Sequence, residues 1–364
     1  MNTNTPKIPV EFDLPAEHGF TMKGWNFSMS EIRDAIKGHR MLNPAFELAS
    51  NICPWNCEFC FTESPDNPLG VKKRLENEMS LAERLSLIDQ AADLGTRSIN
   101  IIGAGEPTFD IHFFTLLERM RERDITPIVY TEGTLKLTDR NFVSRLFDTG
   151  ATVVLKVNTL ANEQYQNAVV AGPAGRKAPR AVNYFKQREV VIENLFDFGF
   201  NKGTPTRFAF DTIICKENVE EIPAIHRYTR KNNIFVLFVN YLPSGRSKQV
   251  MHNAISRTEQ FKVFEDLARI DREEFGIEHR ACFPYAGGVP CTIRGLGLFV
   301  KIGGAVHDCP GESIPLGDVR ETLAHVWEKA KSITGGFNGG CLPRQLFWQQ
   351  HGQQATPAEA PLAA

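Results

Sequence analysis

The sequence predicts an α/β fold, a partial TIM-like (β/α)6 barrel open on one side, followed by a small cysteine-bearing tail domain. Short apolar runs alternate with amphipathic helical patterns from residue 45 to about residue 250, which is typical of parallel strands joined by helices. Most of the eight cysteines fall into two groups, one near the start of this pattern and one after it. With 364 residues the chain is long enough for one large domain and a smaller one.

Six apolar runs have strand length, and most are followed by a helical pattern. We predict strands over residues 46–49, 98–102, 126–130, 152–157, 207–214 and 234–240. We predict helices over residues 31–38, 81–94, 111–123, 138–148, 182–198 and 257–275, with two more after the fourth strand and after residues 218–221. The domain boundaries follow as 1–44 for an N-terminal tail with a short helix, 45–250 for the barrel, 251–349 for a linker helix and the tail domain, and 350–364 for a disordered C-terminus.

Composition restricts the class of protein. Apolar residues make up 42% and charged residues 23%, and the net charge is −2, which gives no electrostatic basis for binding nucleic acid or an anionic membrane. The N-terminus has no signal peptide pattern, and no apolar run has the length of a membrane span. We therefore expect a cytoplasmic protein with reduced, metal-binding cysteines. The short leader predicts no separate peptide-binding module, although a partner protein could supply one.

Residues 51–61 form a loop with three cysteines, Cys53, Cys57 and Cys60, in a C-x3-C-x2-C array. Three thiolates so close in sequence can bind one metal centre, and on a four-iron cluster they satisfy three irons. The fourth iron then stays open to an exogenous ligand. The alternatives are a zinc knuckle or three unrelated buried thiols. Zinc normally takes a fourth ligand nearby, and the next histidine, His112, is far along the chain.

This C-x3-C-x-aromatic-C spacing, with Phe59 as the aromatic residue, resembles the radical S-adenosylmethionine (SAM) superfamily. In that superfamily the open iron chelates the amino and carboxylate groups of SAM. The resemblance implies a [4Fe–4S] cluster, SAM as a second cofactor with Phe59 in its site, and an external reductant such as flavodoxin or ferredoxin.

Two loops after predicted strands extend the resemblance. Gly105, Glu106 and Pro107 follow the second strand and resemble the Gly-Gly-Glu motif that holds the SAM amino group; the alternative is an ordinary βα turn. After the third strand comes Thr-Glu132-Gly, where many relatives carry Thr-Asn-Gly. We expect the charged Glu132 to face the substrate, as a candidate catalytic residue, instead of contacting SAM.

The fourth and fifth strands carry charged residues. Lys156 and Asn158 alternate with apolar residues, which places both on one face, the expected barrel interior. A buried lysine needs a partner or a ligand, and a SAM carboxylate or ribose would serve; the alternative is an edge position that reaches solvent. Arg207 and Asp211 share a face of the fifth strand, where they either pair with each other or line the pocket.

Three further residues follow the later strands. Asn218 is a competent helix cap, the role we favour, although the resemblance also places a polar residue here near the adenosine. Leu242 lies in residues 241–246, which resemble a Pro-x-Gly-Arg turn whose backbone approaches the adenine. Cys215 belongs to neither cysteine group. It is either a small buried residue or, as in some radical SAM epimerases, a hydrogen-atom donor to the substrate radical.

The second cysteine group comprises Cys282, Cys291, Cys309 and Cys341. Cys291 and Cys309 stand in a C-x12-G-x4-C spacing around a predicted β-hairpin over residues 298–307. This resembles the opening of SPASM or twitch tail domains. Four cysteines suit one fully ligated auxiliary [4Fe–4S] cluster, and the alternative is structural zinc. Because full ligation leaves no open iron, such a cluster would transfer electrons or act as a scaffold.

The resemblance implies an enzyme, a radical SAM oxidoreductase or epimerase. The leading hypothesis is the oxidation or epimerisation of a small molecule, such as a sugar or an aminocyclitol. The alternative is a maturase that modifies a ribosomally made peptide. A non-enzymatic iron–sulfur scaffold would not need the loop at residues 103–107.

Overall fold

The fold is described by a computed structural model. It covers residues 22–28, 30–31, 34–35, 38–62, 73–171, 183–242, 244–277, 293–311 and 314–334. Within these ranges six parallel strands alternate with helices, which confirms the predicted α/β partial barrel. None of the described helices is both long enough and apolar enough to cross a bilayer.

The six barrel strands lie in sequential order. They are β1 Ala45–Phe46, β2 Ser98–Ile101, β3 Thr126–Thr131, β4 Thr152–Lys156, β5 Phe208–Ile213 and β6 Phe235–Val239. Each pairs in parallel with the next, so their C-terminal ends meet at one end of the barrel, which we call the mouth. All six predicted strands are present, and only β1 is much shorter than predicted.

The helices pack around the sheet. They are α1 Leu81–Asp93, α2 Phe113–Glu122, α3 Arg140–Asp148, α4 Glu163–Ala171, α5 Tyr184–Asp197, α6 Ile222–Lys231, α7 Arg257–Phe275, α8 Ile293–Leu296 and α9 Leu323–Thr334. The predicted capping box at the start of α1 is confirmed, because Ser80 and Glu83 exchange hydrogen bonds. Helices α8 and α9 were not predicted, and half of the helix predicted over 31–38 lies outside the described residues.

Side chains on the two faces of the sheet enter two separate cores. Leu155 and Phe210 point outward and pack in the large apolar layer under the helices. Ile128, Val154 and Ala209 point inward and form a smaller core inside the barrel. This alternation follows from the two-residue period of a strand and leaves the inner face free to build a site at the mouth.

The chain before β1 closes the end of the barrel opposite the mouth. Met22 bridges to Thr206, just before β5, and both Met22 and Trp25 join the inner core. The Trp25 indole N–H donates to the side-chain oxygen of Asn100 at 2.9 Å. Sequence analysis assigned residues 1–44 to a tail and missed this plug, because the segment has no strand or helix period.

The tail continues the barrel sheet. Strand β7 Phe299–Val300 pairs in parallel with β1, and β8 Ala305–His307 and β9 Gly317–Asp318 follow in antiparallel order. In the described part of the chain the sheet therefore has nine strands, in the order β6-β5-β4-β3-β2-β1-β7-β8-β9. The predicted hairpin is confirmed. Cys282, Cys291, Cys341 and residues 350–364 lie outside the described residues.

Candidate active site at the barrel mouth

The cysteine loop leaves β1 at the mouth and lies against the loop that follows β2. Main-chain N–H groups of Gly105 and Glu106 donate to the carbonyls of Ser50 and Ile52 at 3.2 and 2.9 Å. A Cβ on Gly105 would overlap the carbonyl oxygen of Ile52. Gly105 is therefore required for close approach of the two loops, a contact that sequence analysis did not anticipate.

Helix α4 supports the other side of the cysteine loop. Main-chain N–H groups of Asn56 and Glu58 donate to the carbonyls of Val170 and Val169 at 3.0 and 3.1 Å. Trp55 is buried in an edge-to-face contact with Tyr184, with ring centroids 5.2 Å apart. The loop is thus held at its start and in its middle by main-chain hydrogen bonds, which reduces the entropy lost when its thiols bind a common group.

The donor set of the loop fits an iron–sulfur cluster. Cys53, Cys57 and Cys60 are partly buried thiols, and burial, followed by the nearby Cys60, raises the pKa of Cys57 to about 12. No three histidine, cysteine or acidic side chains among the described residues stand close enough to bind a single metal ion. Thiolates of a four-iron cluster each bind a different iron and stand further apart. Three partly buried thiols on one loop match the three cysteine ligands of a four-iron cluster that leaves one iron open.

Two carboxyl groups are buried together beneath this loop. Glu106 accepts hydrogen bonds from the Thr131 hydroxyl and the Glu132 main-chain N–H, and burial raises its pKa. Burial and the neighbouring Glu106 raise the pKa of Glu132 to about 8. One oxygen of Glu132 accepts from the Thr134 N–H at 3.1 Å, and hydrogen bonds from Thr134 and the Trp55 indole oppose the rise in the pKa. Pro107 is buried at the start of the next turn.

Lys156 and Asp211 form an ion pair inside the mouth. Lys156 Nζ lies 3.0 Å from Asp211 Oδ2 and 4.5 Å from the centre of the Phe59 ring. The lysine side chain is only 10% exposed, so the alternative of an edge position reaching solvent is wrong. The pair connects two adjacent strands to the cysteine loop.

The predicted pairing of Arg207 with Asp211 is wrong, and so is a pocket position for Arg207. Its guanidinium donates to the main-chain carbonyls of Phe147 and Ala151 at 2.7 and 3.0 Å. Arg207 precedes the first residue of β5, at the end of the barrel away from the mouth. The two-residue period therefore does not fix its direction, and the side chain turns outward to one carbonyl in the last turn of α3 and one just before β4.

The predicted cap role of Asn218 is also wrong. Its side chain makes no capping hydrogen bond to the following turn. Instead it donates to the carbonyls of Asn158 and Ile213 at 2.9 and 2.8 Å and accepts from the Cys215 N–H at 2.9 Å. Asn218 is nearly fully buried, where polar groups need hydrogen-bond partners. Its side-chain amide therefore binds the main-chain groups at the two strand ends and is not available to cap the following turn. The side chain ties the end of β4 to the end of β5.

Cys215 is buried at the end of β5, in a small apolar cluster against which Phe59 packs. Its sulfur lies 3.0 Å from the Tyr165 hydroxyl, and burial raises the pKa of the thiol to about 11. The thiol therefore keeps its hydrogen at neutral pH. Sequence analysis missed Tyr165, whose α4 pattern gives no indication of this contact. Leu242 is half-buried, and its main-chain carbonyl accepts a hydrogen bond from the Ser244 N–H at 2.7 Å.

Several buried polar atoms around the mouth fit a polar ligand such as SAM. Asn158 Nδ2, Asn240 Nδ2 and Ser247 Oγ are buried and have no hydrogen-bond partner in the described part of the chain. Leaving such a group unpaired costs about 1–3 kcal/mol. All three follow barrel strands at their C-terminal ends, the end at which ligands of such barrels bind.

Comparison with known proteins gives one family. The sequence model of the Radical SAM superfamily matches residues 48–229, half of the chain. No curated protein matches this sequence.

Solved structures share the fold. Streptococcus suis SuiB bound to the precursor peptide SuiA is 16% identical, with a TM-score of 0.59 over 82% of this chain and 68% of SuiB. SuiB bound to S-adenosylmethionine is 16% identical, with a TM-score of 0.59 over 87% and 78% of the two chains. Native anSMEcpe with bound AdoMet is 18% identical, with a TM-score of 0.56 over 80% and 82%. At these identities the likeness extends to the fold alone.

Proposed function

The chain belongs to the radical SAM superfamily, and we propose that it modifies a small polar molecule, such as a sugar or an aminocyclitol, by oxidation or epimerisation. Membership implies a SAM-binding [4Fe–4S] cluster and SAM, and the proposal assigns the cluster to Cys53, Cys57 and Cys60. When bound and reduced, the cluster supplies the electron that cleaves SAM to methionine and a 5′-deoxyadenosyl radical, which takes a hydrogen atom from the substrate.

The observation that carries the choice of substrate is the Lys156–Asp211 pair in an otherwise apolar barrel interior. A buried ion pair is expensive unless both charges are satisfied, and it offers a donor and an acceptor to hydroxyl or amino groups. Phe59 covers the lysine and excludes water. In this proposal Lys156 and Asn158 also bind SAM, together with Phe59, Glu106 and the backbone at Leu242.

Cys215 decides between the two reactions. If the substrate radical receives the thiol hydrogen, the net reaction is an epimerisation, and the external reductant must return an electron, with a proton, to the thiyl radical. If the substrate radical instead loses an electron and a proton, the net reaction is an oxidation and needs an electron acceptor. The protonated thiol beside Tyr165 supports the first outcome, and we propose Cys215 as the hydrogen-atom donor.

An auxiliary [4Fe–4S] cluster in the tail supports the second outcome, and we propose it on Cys282, Cys291, Cys309 and Cys341. Cys309 is buried, and its sulfur accepts a hydrogen bond from the Gly311 N–H at 3.4 Å. Main-chain N–H bonds to sulfur are one of the ways proteins tune such clusters. The other three cysteines lie outside the described residues.

The alternative function is maturation of a ribosomally made peptide. Its specific support is SuiB, which shares the fold and is bound to a precursor peptide. In either case we propose a cytoplasmic enzyme that receives electrons from flavodoxin or ferredoxin and binds neither nucleic acid nor membrane.

The test is the iron and sulfide content of anaerobically reconstituted protein, with SAM cleavage assayed under dithionite. The wild type is compared with a variant in which Cys53, Cys57 and Cys60 are all alanine. We expect about eight irons falling to about four, with cleavage abolished, because each cubane holds four irons. About four irons falling to none, with zinc retained, would remove the auxiliary cluster and favour epimerisation. Cleavage that survives in the triple variant would overturn the assignment.

A further inference from the structure

The chain after β6 returns across the mouth to the cysteine loop. The main-chain N–H of Arg246 donates to the Cys60 carbonyl at 2.9 Å, and the Ser244 hydroxyl donates to the Phe61 carbonyl at 3.0 Å. Strands β1 and β6 are not neighbours in the sheet, so these hydrogen bonds join the two sides of the open barrel at its mouth.

The side chain of Arg246 enters the cysteine loop itself. Its Nη1 donates to the Asn56 side-chain oxygen at 2.5 Å and to the Cys57 carbonyl at 2.9 Å. Asn56 is held in turn by helix α4, because its side-chain amide donates to the Ala171 carbonyl at 3.3 Å. Arg246 thus links the segment after β6, the cysteine loop and α4 through one buried guanidinium.

The charge of this guanidinium is placed where it acts on a bound cluster. Arginine stays protonated in proteins, and the two oxygens named above orient its positive charge at the cysteine loop. Arg246 is only 5% exposed, and Coulomb interactions at a buried site are several times stronger than in water. A nearby positive charge favours the reduced, more negative state of an iron–sulfur cluster.

From these contacts we infer that Arg246 is a positioning residue with two effects. It fixes the loop that carries Cys57 and Cys60, and it raises the reduction potential of the cluster, so that a physiological donor reduces it more readily. The inference rests on the proposed assignment of the cluster to this loop. A merely structural role would predict weaker cluster binding but no change in the potential of correctly assembled cluster.

The experiment compares Arg246→Gln, Arg246→Lys and Arg207→Gln. Arg207 is the matched control, because its guanidinium also donates to main-chain carbonyls but lies at the opposite end of the barrel. Each protein is reconstituted anaerobically, and its iron content is measured. The reduction potential is then measured by titration, following the electron-spin-resonance signal that changes when SAM is added. That criterion separates this cluster from any cluster in the tail.

We expect Arg246→Gln to make one-electron reduction about tenfold less favourable, which corresponds to about 59 mV more negative. Arg246→Lys keeps the charge and should retain most of the potential, while Arg207→Gln should leave it unchanged. An unchanged potential in fully loaded Arg246→Gln overturns the inference. So does an equal shift in Arg207→Gln.

If Arg246→Gln fails to assemble the cluster, Asn56→Ala provides the second measurement. This variant removes one acceptor and keeps the charge, so we expect slower assembly with a wild-type potential. If the reduction potential of Asn56→Ala became as negative as is expected for Arg246→Gln, the inference would be overturned. Failure of the proposed function gives a different result, since the variant without Cys53, Cys57 and Cys60 would then keep the SAM-responsive signal.

Discussion

Burial at single residues sets the protonation of the groups around the mouth. Glu106 and Glu132 lie together in a water-poor region, where the charged form of a carboxyl is disfavoured, and the pKa of both is raised. Cys215 is affected in the same way. At a given pH, each of these groups is therefore protonated to a greater extent than an exposed group of the same type.

Glu132 makes stability depend on pH. Its pKa rises from 4.5 to about 8 on folding, so between these values the folded protein binds a proton that the unfolded chain has lost. Stability therefore falls as the pH rises through this window, by on the order of 5 kcal/mol. We expect Glu132→Gln, which resembles the protonated form, to flatten the decline in denaturation experiments at pH 6 to pH 9. A decline as steep as in the wild type would contradict this. A negatively charged cluster on the neighbouring cysteine loop would also raise the pKa of Glu132.

Cys215 is predicted to control where the product hydrogen originates. When the wild-type enzyme converts its substrate in D2O, the product should carry deuterium, because the thiol hydrogen exchanges with solvent. Cys215→Ala should give no deuterated epimer, yet its iron content and substrate-free SAM cleavage should match the wild type, since the residue lies outside the cysteine loop. Mass spectrometry of the product makes the comparison. Deuterated product from the alanine variant would eliminate Cys215 as the donor.

At the scale of elements, loops after neighbouring strands are tied to each other at the mouth. The loops after β1 and β2 share main-chain hydrogen bonds, and the side chain of Asn218 joins the ends of β4 and β5. Parallel strands bring these loops together because all their C-terminal ends lie on one side. The site therefore depends on close loop packing as much as on individual ligands.

Substitution of Gly105 tests whether the site depends on close packing of the loops after β1 and β2. Gly105→Ala would force its Cβ into the Ile52 main chain, so we expect the cysteine loop to shift and iron incorporation to fall by more than half, with a destabilisation of about 1–3 kcal/mol. Gly203→Ala is the control, because its nearest neighbour is the Pro205 carbonyl at 3.4 Å. The iron content and the thermal unfolding of both variants are measured and compared with those of the wild type. Full iron loading of Gly105→Ala would show that the close contact is dispensable.

Helix α7 is fastened to α6 by a buried charged cluster. Asp271 accepts from Arg230 through both oxygens at 2.8 Å and lies 2.7 Å from His226 Nε2. We expect Asp271→Asn to cost about 3–5 kcal/mol, because it leaves buried charge without compensation. Glu274→Gln is the matched control, since its pair with Arg227 joins the same helices at the surface, where solvent screens the two charges and the pair contributes little. Denaturant unfolding measures both, and equal losses would refute the distinction.

At the scale of the whole molecule, the tail and the barrel share one sheet and one core. Strand β7 pairs with β1, and Val300, Val306 and Trp327 belong to the same apolar cluster as the outer face of the barrel strands. The Ile302 N–H also donates to the Glu47 carboxylate at 2.9 Å. Each fully buried large apolar side chain contributes about 1.5–3 kcal/mol, against a typical stability of about 5–15 kcal/mol.

Removal of the tail should therefore prevent folding of the barrel. We expect a protein that ends at residue 256 to be insoluble or molten, as judged by near-ultraviolet circular dichroism and thermal unfolding. A protein that ends at residue 349 should unfold like the full chain if residues 350–364 are disordered as predicted. A well-folded protein ending at residue 256 would instead support an independent domain over residues 45–250.

Prediction from sequence succeeded where a short-range pattern carries the information. The six strands, the α1 capping box and the hairpin follow from apolar periodicity and turn residues within a few positions of each other. It failed for Arg207 and Asn218, whose side chains bind main-chain carbonyls or N–H groups at helix and strand ends. Which of these groups remain unpaired depends on how the elements pack, and neither residue's neighbours in sequence indicate it.

By itself, the sequence determined the class of fold, the cysteine loop and the family, because these depend on residue type and spacing along the chain. Only the tertiary structure decided that Lys156 pairs with Asp211, that Tyr165 contacts Cys215 and that Arg246 enters the cysteine loop. Each of these contacts joins residues at least 50 positions apart. Such contacts form only when parallel strands and their loops are brought to a common mouth, so no local period records them.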